Sequence, residues 1–429
     1  MRTAKRTAFA SFLGTTFQFL DASIYGIVAA VVFSKVFFPA DNPQLASVGA
    51  VATFAVAYVT GPIGAFVLGP LGDRIGRQKM TVITITGMGV ATFLIGCLPG
   101  YGTIGFAAPV LLVILRIFQG FFTSSEQAGT SSLTMEHAPT ERRGFFVSFI
   151  NVGVGVGAVL GQLAFIPILA LPEDDLLSWG WRIPFLASIV WTAIVLIFRR
   201  SIHDADVFVE TKNEGKVARY PVAPLFRDHW RSVIRVILLC LMAVPGTVVG
   251  VYAFGYGVDT VGIPASELLT VQLIVIVVTT PLLPLWGLLG DRIGRKPVFA
   301  GGVLIGGLLI FPLFLALKSG NLLLVALLEI LAYGFLNAGQ ALQLSMFTEM
   351  FPTKVRTTGV AIGSQLGFLV AGFAPTICYA IQRSGPSGWV PAAVFTTGVC
   401  VIASIAAFTG RETANRDVTV LDSAEAPTP

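Results

Sequence analysis

Apolar stretches recur along this chain from near residue 9 to near residue 409, broken only by short loops and one longer polar segment. A helix needs about 20 such residues to cross the hydrocarbon core of a bilayer. In lipid every backbone polar group must find its partner within the segment, so these stretches read as spanning helices. Composition agrees: 12% of the 429 residues are charged and 55% are hydrophobic. A soluble domain carries about 25% charged residues, so no water-soluble enzyme of this length can be built from this chain. So much apolar surface also excludes disorder.

Twelve spans are predicted, at roughly 9–38, 48–70, 80–98, 106–136, 144–170, 181–198, 232–258, 267–289, 297–317, 321–349, 356–382 and 389–409. The opening MRTAKRTAFASFLG imitates a signal peptide, but the apolar run continues past Asp21 without a cleavage site, so it reads as the first span. An even number of spans puts both termini on one side. Of the 28 Lys and Arg, 23 fall in the termini and in the loops of that side, which makes it cytoplasmic by the positive-inside rule. The expected organisation is a six-helix half over 1–198, a cytoplasmic linker over 199–231, a second half over 232–409 and a disordered tail over 410–429.

The heptapeptide LGDRIGR occurs at 71–77 and again at 289–295, each copy after the second span of its half. A second pair matches Glu136 and Pro139 before Arg142 and Arg143 with Glu349 and Pro352 before Arg356. Two halves repeating in parallel orientation form one of the repeat patterns of secondary transporters. The doubled G-x-L-G-D-R-x-G-R resembles the signature of the major facilitator superfamily. Arg116-x-x-Gln119-Gly120, Glu126-x-x-Gly129, Trp179-Gly-Trp-Arg-Ile-Pro-Phe185 and Glu349-x-Phe-Pro352 are similar to its metabolite:proton symporter branch. The chain departs from that branch at Gln18-Phe-Leu-Asp21, Ser124-Ser125-Glu126 and Gly363-Ser-Gln365, so the resemblance implies no particular solute. It implies an all-α integral membrane fold of two pseudo-symmetric six-helix bundles. It also implies a gating latch of Asp73, Arg74, Arg77, Glu136, Arg142, Arg143, Asp291, Arg292, Arg295, Glu349 and Arg356. Arg142 and Arg143 are expected as partners of Asp73, and Arg356 as partner of Asp291.

Charges within spans are costly and mark function. Asp21, Arg116, Glu126 and Glu329 are such charges, and all three histidines lie in predicted loops, so proton coupling is expected from Asp21, Glu126 and Glu329. At 100° per residue, Arg116, Gln119, Thr123, Glu126 and Gln127 share one wedge of the fourth span. Gln18, Asp21 and Tyr25 share a face of the first, Glu329, Tyr333, Asn337 and Gln340 one of the tenth. Gln18, Tyr25, Arg116, Gln119, Thr123, Tyr333, Asn337 and Gln340, with Tyr252 and Tyr256 on the seventh span and Gln365 on the eleventh, are expected to bind substrate. Aligning Glu136 with Glu349 makes Glu329 the repeat mate of Arg116, and the two are expected to face each other across a cavity of net charge −2.

Gly153, Gly157 and Gly161 form a small-residue stripe for close helix packing. Cys97, Cys240, Cys378 and Cys400 have no metal spacing and read as free thiols. There is no P-loop for ATP and no nucleophile triad, so no cofactor, metal or enzymatic activity is expected, and no nucleic acid. The expected function is proton-coupled symport of a small polar metabolite, an organic acid or a zwitterion, by a monomer in the plasma (inner) membrane. The alternative is a proton-coupled exporter of an amphiphilic compound.

Overall fold

The computed structural model describes residues 2–38, 43–200, 222–383, 385 and 387–414, and among them every regular element is helical. Nine of these helices are each long and apolar enough to cross a membrane, and a pair bent by 42° makes a tenth span. In chain order α1 is Arg2–Val28, carried on to Val36 through a π-helical turn, α2 is Pro43–Ile75 and α3 is Arg77–Cys97. Then come α4 (Ala107–His137), α5 (Thr140–Leu169), α6 (Glu173–Arg199) and α7 (Trp230–Val261). The bent pair Ala265–Thr279 and Leu282–Ile293 is α8, followed by α9 (Arg295–Ser319), α10 (Leu322–Glu349), α11 (Arg356–Ile381) and α12 (Val390–Phe408). With α1 and α2 counted, the expected twelve are present. Large apolar side chains such as Ile63, Phe118, Ile189, Leu323 and Phe373 are exposed on the outside, where lipid would cover them.

The repeat is visible in the backbone. Gly76, between α2 and α3, has φ 112° and ψ 148°, and Gly294, between α8 and α9, has φ 105° and ψ 148°. Only glycine enters that region without strain. Replacing either by alanine is expected to cost about 1–3 kcal/mol, read as a lower melting temperature in detergent. Gly301→Ala in α9, where an added Cβ meets nothing within 4 Å, is the control and should melt like the parent.

Trp181 is fully buried in an aromatic cluster with Phe33, Phe37 and Phe185, while Arg182 donates to the carbonyls of Gly96 (2.8 Å) and Leu98 (2.6 Å). The Trp-Arg-Ile-Pro-Phe stretch thus caps the end of α3 and closes one end of the first half. Gly153, Gly157 and Gly161 let α5 lie directly on the backbone of α1, as the stripe predicts.

The first and last described residues lie at one end of the bundle, here called basal; the other end is apical. Apically each half has its own core, one around Tyr25, Leu112 and Trp181, the other around Tyr252, Phe314 and Trp389. Basally one core is shared, with Ala65, Ala128, Val147 and Ile150 of the first half packed among Val298, Leu342 and Phe347 of the second. The halves are therefore joined at the basal end. Two tail residues also belong to the fold: Glu412 accepts from the backbone N–H of Arg295 (3.1 Å) and Lys296 (3.2 Å), and Thr413 donates to Glu349 (2.6 Å). The tail is thus ordered to residue 414, where disorder was expected from 410; 415–429 and 201–221 of the linker lie outside the described residues. Arg199 belongs to α6 and not to the linker.

Candidate functional site

A cavity of about 290 Å³ lies between the halves. From the first half it is lined by Gln18 and Asp21 of α1, Arg116, Gln119, Thr123 and Gln127 of α4, and Asn151 of α5. From the second it takes Gln340 and Gln343 of α10, Gln365 of α11 and Thr247 of α7. Seven amide side chains and one pair of opposite charges give it a polar wall with no formal net charge. The expected −2 does not hold, because Glu126 and Glu329 are not in the wall.

Arg116 stacks its guanidinium over the Tyr25 ring, 3.7 Å from the centroid, and its Nε donates to the Thr53 carbonyl (3.3 Å). The Tyr25 hydroxyl in turn donates to Thr53 Oγ1 (2.7 Å). Arg116 also donates to Gln119 Oε1, and Gln119 Nε2 donates to Asp21 Oδ2 and to Thr92 (2.8 Å). Arginine has only donors, so the Gln119 amide cannot be turned round: it stands as a relay between cation and carboxylate. Tyr25 is a platform under Arg116 and is itself fully buried.

Several expected site residues lie elsewhere. Glu126 pairs with Arg199 at 2.8 Å, and both bond Thr130. This buried group fills the space left by Gly14, where a Cβ would sit 2.7 Å from the Arg199 guanidinium and 2.9 Å from the Glu126 carboxylate. The helical wedge fails here because α4 is interrupted at Ser124 and Ser125, which turns Glu126 away while Gln127 stays in the wall. Arg199, counted as a loop charge, was missed for want of any local signal other than Gly14. We expect Gly14→Val to leave this pair without room, so that little folded protein survives detergent extraction.

Glu329 lies apically within the second half, among Val249, Phe254, Leu268 and Gln272, in a separate small pocket. It does not face Arg116: Arg116 lines the cavity between the halves, while Glu329 points into its own bundle. Tyr252 and Tyr256 pack on Phe314 in the apical core. The π-helical turns Val248–Ala253 and Tyr256–Val261 break the period on which their placement rested. Asn337 donates to the Thr279 carbonyl (2.8 Å) and Tyr333 to that of Gly246 (3.4 Å), tying α10 to α8 and α7 outside the cavity. Gln18, Asp21, Arg116, Gln119, Thr123, Gln340 and Gln365 are brought together as expected, and Asn151 and Gln343 join them unforeseen.

The basal latch has eight buried members. Asp73 accepts from the backbone N–H of Thr357 (3.0 Å) and Thr358 (2.8 Å), and from the Thr358 hydroxyl (2.6 Å), in the first turn of α11. Asp291 accepts from the N–H of Gly144 and Phe145, both at 2.8 Å, in the first α-helical turn of α5, which begins at Arg143. Each aspartate therefore caps a helix of the opposite half, where the positive end of the helix dipole favours it. Arg77 lies 3.2 Å from Glu136 and 3.7 Å from Asp73, and Arg356 reaches Glu136 at 2.7 Å across the halves. Arg295 binds Asp291 at 3.2 Å and Glu349 at 3.0 Å. The expected pairing is exchanged: Asp73 meets the Arg356 turn and Asp291 the Arg143 turn. The cause is lateral packing, since α2 lies along α11 and α5 along α8. Arg74, Arg142 and Arg292 are exposed and stand outside this group.

Two helical bundles joined basally around a polar cavity have the architecture of a membrane transporter. The chain belongs to the Major Facilitator Superfamily, whose family model matches residues 11–375. It is 35% identical over 411 residues to the shikimate transporter of Escherichia coli (strain K12), covering 94% of each chain. It is 33% identical over 422 residues to the proline/betaine transporter of the same strain, covering 95% of this chain and 83% of that one. Its fold matches the proton:xylose symporter XylE bound to 6-bromo-6-deoxy-D-glucose with a TM-score of 0.77 at 18% identity, over 99% of both chains. The chain is a multi-pass membrane transporter and not an enzyme.

Proposed function

We propose that this transporter is a proton-coupled symporter that takes up a small polar metabolite, an organic acid or a zwitterion, across the plasma (inner) membrane. The basal end with both termini is cytoplasmic, and the protein works as a monomer. The observation that carries the reading is the Asp21–Gln119–Arg116 relay in the cavity wall. With Asp21 ionised the wall is neutral, and a carboxylate approaching Arg116 also meets a negative charge nearby. A proton on Asp21 removes that charge and weakens its hold on Gln119, leaving the cavity with the net positive charge of Arg116. The solute carboxylate then binds favourably, so proton and solute enter together. When the latch opens and the proton leaves, the ionised Asp21 repels the solute towards the cytoplasm.

The names of the relatives, a shikimate and a proline/betaine transporter, support organic acids and zwitterions as the class. Glu126, held by Arg199, takes a structural part, and Glu329 stands apart from the route. Gln18, Arg116, Gln119, Thr123, Gln340 and Gln365 line the solute's place. The amide-rich wall counts against the exporter of amphiphiles. The test is uptake of labelled shikimate and proline into proteoliposomes under an inward proton gradient. Accumulation that a protonophore abolishes is the expected result; uptake indifferent to the gradient overturns the reading.

A further inference from the structure

Between the cavity and the latch, the two halves touch through amides. Asn151 Nδ2 donates to the main-chain carbonyl of Gln340 (2.7 Å), and Gln343 Nε2 donates to Asn151 Oδ1 (3.3 Å). Gln365 Nε2 donates to the Ser124 carbonyl (3.1 Å). These bonds run from α5 to α10 and from α11 to α4, so they form the floor of the cavity on its basal side.

The chain of bonds fixes how the amides are turned. A carbonyl only accepts, so Asn151 must present its NH2 to Gln340 and its oxygen to Gln343. Gln343 must then present its NH2 to Asn151, and its Oε1 is left over. That oxygen has no partner among the described residues, although Gln343 is 3% exposed and lines the cavity. On the opposite wall Gln18 Oε1 is also buried without a partner. A buried acceptor left without a donor is a standing cost, removed by whatever brings the donor.

We infer that Gln343 is a specificity-determining residue that demands a hydrogen-bond donor, a hydroxyl or an N–H, from the solute. The inference rests on the proposed uptake of organic acids or zwitterions and narrows that class to donor-bearing members. A solute that completes Gln343 also sits on the bonds that join the halves, which puts recognition next to the gate. A site built around a substrate hydroxyl or N–H rejects the analogue that lacks it, because its own polar group is then left unpaired.

The test uses full-length protein in nanodiscs and two charge-matched probe pairs. One pair is shikimate against cyclohex-1-ene-1-carboxylate, which lacks its hydroxyls. The other is proline against N,N-dimethylproline, which lacks its N–H groups. In the wild type at least one donor-bearing member should bind ~10-fold or more tighter than its mate. Gln343→Met, or Gln343→Leu if the former is not recovered folded, should narrow that ratio to ~3-fold or less by weakening only the donor-bearing member. Gly301→Ala, outside the cavity and with room for its Cβ, should keep the preference. Members of a pair binding alike, or a ratio unmoved by both Gln343 variants, overturns the inference and leaves the symport reading standing. Binding by neither pair overturns both the inference and the solute class.

Discussion

Asp21→Asn should abolish gradient-driven accumulation while leaving solute exchange across the membrane intact. Asparagine keeps the shape and still meets Gln119, but it carries no proton, so the cavity is held permanently in the form that a protonated Asp21 would give. One pH unit is worth about 1.4 kcal/mol per proton, so a one-to-one symporter under that gradient reaches about tenfold accumulation and the variant about unity. Counterflow, in which labelled solute enters in exchange for unlabelled solute with no gradient, should continue. Counterflow lost together with accumulation would make Asp21 a binding group only. Accumulation retained would remove it from coupling altogether.

Glu136→Gln should open the basal end. Glu136 is the carboxylate shared by Arg77 of its own half and Arg356 of the other, and the side chains of all three are fully buried. Removing its charge leaves two guanidinium groups facing each other in a dry site, a change worth about 3–5 kcal/mol where one partner of a buried pair is lost. The cost falls on the arrangement in which the halves are joined, so the equilibrium shifts towards the separated one. The measurement is labelling of a single cysteine placed at the basal mouth, in a background without the four native cysteines. Labelling should rise steeply, and Arg356→Met paired with Glu136→Gln should restore part of the protection. Unchanged labelling would mean that the helix caps at Asp73 and Asp291 hold the end by themselves.

The twelve spans, the two halves and eight of the eleven expected latch positions were legible because each depends on a one-dimensional pattern: apolar length, basic loops, and a heptapeptide repeated at matching places. The side-chain partners were not. Arg142 and Arg143 stand close to Glu136 in sequence, yet the packing of α2 on α11 and of α5 on α8 exchanges the expected latch contacts. Helical arithmetic placed Gln18, Asp21, Arg116 and Gln119 correctly because α1 and α4 are regular there. It failed at Glu126, beyond the interruption at Ser124 and Ser125, and at Tyr252, within π-helical turns. It failed at Glu329 for another reason, since α7, α8 and α9 of its own half cover that face of α10 apically. Charge alone could not separate a carboxylate in the cavity from one neutralised behind it. That required Arg199, which the sequence places at the edge of the linker.

Asp73 and Asp291 both read peptide N–H groups, which leads to an unusual expectation for mutational tolerance. At Thr357 and Phe145 the contact survives a change of side chain, because every residue but one supplies the same donor. Proline is the exception, and the first turn of a helix is the one helical place where proline fits. In a saturation scan, the bond to the aspartate should therefore tolerate every letter but proline, and further losses at Thr357 report its buried packing against Gly72. A functional site of this kind leaves almost no trace in residue identity, and its presence is betrayed only by the aspartates that face it.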